Sequence, residues 1–312
     1  MTAPTNTFTT VDSIGRREDL SDYIYMVSPT HTPFMSGAAS VDATAVLHEW
    51  QIDSLRSAAQ NVQDEGDDAT TNAVTATTRL SNTCQISDVV PRVSGTQQAV
   101  AKAGRRNEMS YQVAKMAKEL KLDMENDLCA NNAEVTGDAS TSRELGGIPA
   151  WITTNTSNGT SGTDGSLGNT ARTDGTQRSV TEEQLKTVLA ACFDAGGEPD
   201  CILVGSFVKQ AISGFTGNAT RFKGAEDARL QAAIDIYDSD FGSLEIKPSR
   251  FSRARDALVL QMDLWAVAFL RAFSLHELAK TGDSERMQLI TEFTLESRNE
   301  AGSGAIWDLS TS

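Results

Sequence analysis

Residues 41–92 open with Val41-Asp-Ala-Thr-Ala-Val-Leu-His-Glu-Trp50, pass through the acidic turn Gln63-Asp64-Glu65-Gly66-Asp67-Asp68 and close with Asn82-Thr-Cys-Gln-Ile-Ser-Asp-Val-Val-Pro-Arg92. Both ends are strand-like and the middle is polar. Such a segment is too long for a tight hairpin and too polar to bury a core of its own, so its surface is expected to find stability against another copy of the chain. Directly after it, the spacing predicts one long amphipathic helix over 96–131. There Met109, Val113, Met116, Leu120, Met124 and Leu128 recur every three or four residues as one apolar stripe. About 36 residues at ~1.5 Å each make a rod on the order of 50 Å, weakened near its start by Gly104. An arm followed by a spine describes an assembly subunit better than a catalyst.

Composition describes a folded, acidic protein. With 312 residues, 39% of them hydrophobic, the chain can bury a substantial core, and length alone predicts about two domains. Its 27 basic and 42 acidic residues leave a net charge of -15, which opposes long-range attraction to a nucleic acid backbone despite local basic spots such as Arg105-Arg106. Cys84, Cys129, Cys192 and Cys201 show no CxxC spacing, and three lie in apolar stretches, so buried free thiols in a reducing cytoplasm are expected. No secretory signal pattern opens the sequence. No apolar run approaches the roughly 20 residues that a membrane span needs.

Along the chain, residues 1–40 read as a polar arm with a short helix at 18–26. Residues 153–178 are dominated by Thr, Ser, Asn, Gly and Asp and are expected to form a mobile surface loop. After it the pattern alternates between helices and strands. Thr181-Glu-Glu-Gln184 is a capping box, Leu185, Val188, Leu189 and Cys192 give the buried face behind it, and Gly196-Gly197 ends the helix. A buried strand follows at Cys201–Val204, then a helix capped by Ser206 and reaching Phe215, then strands at 244–246, Ala257–Leu260 and 265–270. Met287, Leu289, Phe293 and Leu295 alternate with polar residues, the period of a long strand with one buried face, and a last strand is expected at 305–309.

Catalytic chemistry is not legible. His276-Glu277-Leu-Ala-Lys280 begins like a zinc-protease helix, but Lys280 stands where the second histidine is needed to share the metal. His31, His48 and His276 are the chain's three histidines, and none sits in a nucleophile context. No phosphate-cradling loop occurs, and the glycines at 159, 162, 165 and 168 neither follow a strand nor open a helix. Asp64, Glu65, Asp67 and Asp68 lack the ligand spacing of a calcium loop and read as a solvated turn. That turn could meet arginines of a neighbour, with Arg105, Arg106, Arg250, Arg253 and Arg255 as candidate partners across a subunit contact. The run Arg250, Arg253 and Arg255 around Phe251 could also track a phosphate backbone, but intersubunit or intramolecular salt bridges are the favoured reading. No catalytic, cofactor-binding or metal residue is assigned.

The order of these parts resembles the major capsid proteins of tailed bacteriophages, with the Hong Kong 97-like fold. The resemblance rests on Gly15-Arg-Arg-Glu-Asp-Leu20, Ser28-Pro-Thr-His-Thr-Pro-Phe34 and His48-Glu-Trp-Gln51 before the spine. Behind it stand Gly214-Phe-Thr-Gly-Asn-Ala-Thr220, Ala254-Arg-Asp-Ala-Leu-Val-Leu260 in outline and Leu295-Glu-Ser-Arg-Asn-Glu300. It covers nearly the whole chain.

The resemblance implies an α+β fold. Its parts are an N-terminal arm at 1–40, an extended loop at 41–92, a peripheral domain with the spine helix at 93–180, an α/β axial domain at 181–273 and closing strands at 274–312. The implied function is self-assembly, through hexamers and pentamers, into the icosahedral head shell of a phage, enclosing double-stranded DNA without specific binding. No enzyme activity, cofactor or membrane is involved. A portal protein is implied as a partner, and assembly in the host bacterial cytoplasm. The extended loop starts about forty residues in, so a separate scaffolding protein is expected. No lysine occurs before Lys102, so no lysine weld from the loop is expected. A same-fold cellular nanocompartment shell is the alternative, and an α/β enzyme built on 181–273 a more distant one.

Overall fold

The computed structural model describes residues 31–66, 68, 71–100, 107–215 and 235–311. The helix expected at 18–26, together with Asp67, Arg105, Arg106 and most of 214–220, lies outside them.

A six-stranded sheet runs in the order Thr156–Ser157, Gly304–Ile306, Ala257–Leu260, Cys201–Val204, Gly242–Pro248, Ile236–Ser239. Its two central strands are wholly apolar, and the two-residue period sends alternate side chains to opposite faces. Ile202, Val204, Ala257 and Val259 enter a core with Leu185, Val188, Leu189 and Cys192 of helix Glu182–Asp194. Cys201, Leu203, Leu258 and Leu260 enter a second core with Trp151, Trp265, Phe293, Leu295 and Trp307. Unbroken apolar runs are what strands covered on both faces require.

Helix Glu182–Asp194 starts with the expected capping box. The Gln184 amide donates to Thr181 Oγ1 at 3.3 Å, and the Thr181 amide donates to Gln184 Oε1 at 3.2 Å. Gly196, at φ +88°, follows its end. The next helix, Ser206–Ser213, differs from expectation. Gly205 takes the extended cap position directly after the buried strand, so Ser206 is the first helical residue and makes no capping bond.

A five-stranded sheet carries the second half of the core. Ala39–Asp42 lies parallel to Trp265–Glu277, which runs antiparallel to Ser284–Ser297. The last of these also pairs with Gln85–Val89 and, further along, with Arg92–Ser94. Strands expected at 244–246, 265–270 and 287–297 are longer than the sequence indicated, and the last strand is the shorter Gly304–Ile306. The single buried face expected for 287–297 is also corrected: residues 291–297 are all buried, because the spine helix and the extended arm both pack against them.

The spine is shorter than the expected rod. Helix Gly95–Ala99 is capped by Ser94 and stops at Val100, whose ψ of 137° is extended backbone, and a new helix, Glu108–Cys129, starts on its own cap, Asn107. Its 22 residues span about 33 Å. Met109, Leu120, Met124 and Leu128 of the predicted stripe are buried, with Val113 and Met116 half-buried. The buried Glu125 on the same helix accepts from the amides of Phe34 at 2.8 Å and Met35 at 2.9 Å, tying the short helix Pro33–Gly37 to the spine.

Residues 153–178 are not the mobile loop that composition predicted. They form a strap that bonds to itself and to the body. Thr163 and Thr173 exchange backbone bonds at 3.0 and 2.9 Å, the Thr176 amide reaches Thr160 O at 2.9 Å, and the Glu300 carboxylate receives the amides of Thr153 and Thr154. Gly168, at φ +83°, lies so close to Trp151 that a Cβ would stand 2.7 Å from its ring. The glycine there serves close packing, and polar bonds supply the order that apolar residues cannot.

All four cysteines are free and buried, as expected. Burial pushes the Cys84 thiol up to about 11 and those of Cys192 and Cys201 up to about 12, so none is poised as a nucleophile. Phe293, fully buried in the core between the two sheets, is the sharpest test of that core. Phe293→Ala is expected to lower stability by about 3–5 kcal/mol in urea denaturation, against a negligible change if the two sheets fold independently of it.

Candidate functional site

The arm at 41–92 becomes an antiparallel ribbon, Leu47–Ile52 against Thr78–Thr83, with Trp50 opposite Leu80 and His48 opposite Asn82. Alternation decides its faces. His48, Trp50 and Ile52 are half-buried toward the body, whereas Leu47, Glu49 and Gln51 are exposed.

The base of the ribbon is anchored by polar and aromatic contacts. Trp50 Nε1 donates to Ser297 O at 2.7 Å, and its ring lies 5.3 Å from that of Trp151. Asn82, fully buried, donates to Leu295 O at 2.8 Å and to Gly146 O at 3.2 Å, and accepts from the Gly146 amide at 2.9 Å. His48 Nε2 stands 3.0 Å from Glu296 Oε2. That bond to His48, working against burial and aided by Arg298, holds the Glu296 carboxyl below the usual range.

Anchoring ends at the ribbon. Between the two strands, residues 53–77 contain no helix or strand among the described residues, and every described residue is exposed, including Leu55 at 98%, Val62 at 73% and Val74 at 96%. Asp64, Glu65 and Asp68 sit on this exposed tip, where Gly66 turns the chain at φ +84°. No cluster of potential metal ligands occurs among the described residues.

The described candidate arginines lie in the loop before strand Ala257–Leu260. Arg250 is exposed, but Arg253 and Arg255 turn inward to the strap. Asp174 receives bonds from Arg172, Arg253 and Arg255. Asp308 receives Arg172 Nη2 at 2.9 Å, Arg255 Nη2 at 2.8 Å and the amides of Gly159 at 3.1 Å and Gly175 at 2.8 Å. The side chains of Arg172 and Asp308 are completely buried, and the Arg172 guanidinium also lies 4.7 Å from the Trp307 ring centre. Burial alone would raise both carboxyls, but the guanidiniums, joined at Asp308 by the two amides, outweigh it and hold both below the usual range. Two members of the basic run are thus committed to intramolecular ion pairs, which removes them from any phosphate-tracking surface.

Two surface features escaped the sequence reading. Phe193 and Phe241 pair at 4.9 Å between ring centres while both remain exposed, and Ile236 on the edge strand is exposed as well. Phe193 falls off the buried stripe of its helix, and that phase was the available signal. Phe273 and Leu275 are exposed on the half of strand Trp265–Glu277 that extends past Ala39–Asp42. His276 also lies on this strand, so its neighbourhood is not a helix at all. An open cavity of about 400 Å³ between strand Arg92–Ser94 and the start of the spine is lined by Arg92, Ser94, Gln97, Glu108 and Gln112 with apolar neighbours, and no histidine, cysteine or lysine lines it among the described residues.

The family model described as SU10 major capsid protein matches residues 3–310. The major capsid protein of Escherichia phage Phieco32 is 26% identical over 338 residues, covering 96% of each chain. Among solved structures, the cyanophage A-1(L) capsid asymmetric unit superposes with a TM-score of 0.68 at 12% identity, covering 97% of this chain and 99% of that one. The capsid of the native GTA particle gives 0.63 at 10% identity, with coverages of 96% and 98%. The fold is the Hong Kong 97-like capsid fold. If the indole anchor holds the ribbon, Trp50→Ala should speed amide hydrogen exchange across Leu47–Ile52 and Thr78–Thr83 on the order of tenfold while leaving Cys201–Val204 unchanged.

Proposed function

The chain belongs to the SU10 major capsid protein family and is a major capsid protein of a tailed phage, and from that premise we propose that its copies close into an icosahedral head shell around double-stranded DNA by laying the 53–77 tip of one subunit over the next. The observation that carries this reading is the contrast within one segment: a base bonded to the body through Trp50 and Asn82, and a tip whose described residues are all exposed. Side chains of the tip satisfy few of its backbone groups, such as the Ser54 amide on Asp53 Oδ1, and a neighbouring subunit supplies further bonds and apolar cover for Leu55, Val62 and Val74. Closure then follows from the same contact repeated under symmetry.

On this reading the chain divides into the arm at 1–40, the extended loop at 41–92, a peripheral domain at 93–180 closed by strands within 274–312, and an axial domain at 181–273 that meets its copies around hexamer and pentamer centres. Asp64, Glu65, Asp67 and Asp68 then face cations of the neighbour, among which Arg105, Arg106 and Arg250 are preferred because Arg253 and Arg255 are already paired within the chain. A separate scaffolding protein, a portal and assembly in the host bacterial cytoplasm complete the proposal. The family is a structural one and not an enzyme family, and a nanocompartment shell is not favoured by a phage capsid relative covering 96% of the chain.

Replacing 54–76 by a short Gly-Ser turn is expected to leave the unfolding free energy within about 0.5 kcal/mol of the parent, as for a surface change, but to abolish closed particles in electron micrographs. Closed shells of normal size from that variant would overturn the role of the tip. With no lysine before Lys102, denaturing gels of boiled shells are expected to show no subunit link made by a lysine of the 41–92 loop. A ladder whose links map to the ribbon would contradict this.

A further inference from the structure

The charge cluster that fastens the strap does not satisfy its members equally. Asp174 and Asp308 take the guanidinium and amide hydrogens described above. Asp256, 1% exposed and adjoining strand Ala257–Leu260, takes none: neither carboxyl oxygen has a hydrogen-bond partner among the described residues. Arg253 Nη1 lies 3.1 Å from Asp256 Oδ2 but off the hydrogen-bonding direction, and this Nη1, Arg172 Nε, Arg255 Nε and Ser252 Oγ are likewise buried without a hydrogen-bond partner there. An ionised carboxylate shut away from water without hydrogen bonds is far more costly than a neutral carboxyl in the same place.

We propose that Asp256 is a proton switch on the strap: the neutral carboxyl lets residues 153–178 and the chain end at Trp307-Asp308-Leu309 close over it, and its ionisation loosens them.

The charged groups around it come from three segments. Arg253 and Arg255 share its own loop, Arg172 and Asp174 belong to the strap, and Asp308 of the chain end holds Arg172 and Arg255 in place. Burial pushes the Asp256 carboxyl up to about 7, the three arginines pull against it, and Asp174 adds to the rise. In an opened strap the carboxyl returns to water and to its ordinary 3.8. The closed form therefore binds the proton more tightly. Its advantage from Asp256 is complete below 3.8 and is lost as pH rises through about 7. Asp174 and Asp308, both held below the usual range, act in the opposite sense, since their contribution is present above 3.8 and is lost as pH falls. The two trends cross at about pH 4, just above the ordinary carboxyl value, where the strap is tightest.

Amide hydrogen exchange of the unassembled full-length chain, corrected for the intrinsic rate, tests this. Between pH 6 and pH 8, protection across 153–178 is expected to fall about tenfold in the parent, the change that carboxyls at 3.8 and about 7 dictate. Asp256→Asn, a neutral isostere, is expected to flatten that profile and to be at least as protected as the parent at pH 8. The same slope in the variant, or weaker protection than the parent at pH 8, would overturn the proposal by showing that the charge is inert or itself fastens the strap. A carboxyl-carbon NMR titration of the parent reads the group without substitution: a midpoint near 7 supports the switch, and one near 3.8 refutes it.

Discussion

Glu292 is the buried charge on which the packing of the long strands turns. It is nearly inaccessible in the middle of strand Ser284–Ser297, and Arg143 at 2.7 Å and Arg271 at 2.8 Å each hold one of its oxygens. Arg143 is the more enclosed of the two partners and Arg271 is about half-exposed, so solvent screens the second pair more than the first. Arg143 approaches from the chain after the spine and Arg271 from the neighbouring strand, so a single carboxylate draws two parts of the fold onto one strand. The residues that follow it, 293–297, then serve both the core and the ribbon: Phe293 and Leu295 fill the core, while Leu295 O, Glu296 and Ser297 O receive the ribbon.

That convergence explains how one segment can be both rigid and available. A ribbon of two short strands is marginal alone. Here its body-facing side rests on a strand that is already immobile, and the anchors are an indole N–H, an amide side chain and an aromatic pair, each directional. The tip inherits its direction from this base while its described residues stay exposed. A shell subunit needs that combination, since an arm that wandered would lose most of its binding energy to ordering, and an arm folded onto its own body would have none to offer a neighbour.

The strap shows a different use of polar sequence. Serine, threonine, asparagine and glycine suggested disorder because they cannot build an apolar core. In the fold these residues bond to one another's backbones and to carboxylates and guanidiniums contributed from elsewhere, and Asp308 accepts a left-handed backbone at φ +60° to aim its carboxylate into the strap. Low hydrophobicity predicted the absence of a core correctly but did not predict the absence of order.

What the residues determined alone is what depends on their immediate neighbours in the chain. The capping box at Thr181, the two-faced strands Cys201–Val204 and Ala257–Leu260, the buried thiols, the apolar stripe of the spine and the extended character of 41–92 all follow from local period and local chemistry. Tertiary structure decided the rest. The break in the helix at Val100, the burial of 291–297 on both faces, the order of the strap and the pairing of Arg172, Arg253 and Arg255 with Asp174 and Asp308 each join residues far apart in the sequence. Periodicity records which way a side chain points. It carries no record of which charge, 136 positions away in the case of Arg172 and Asp308, will be waiting there.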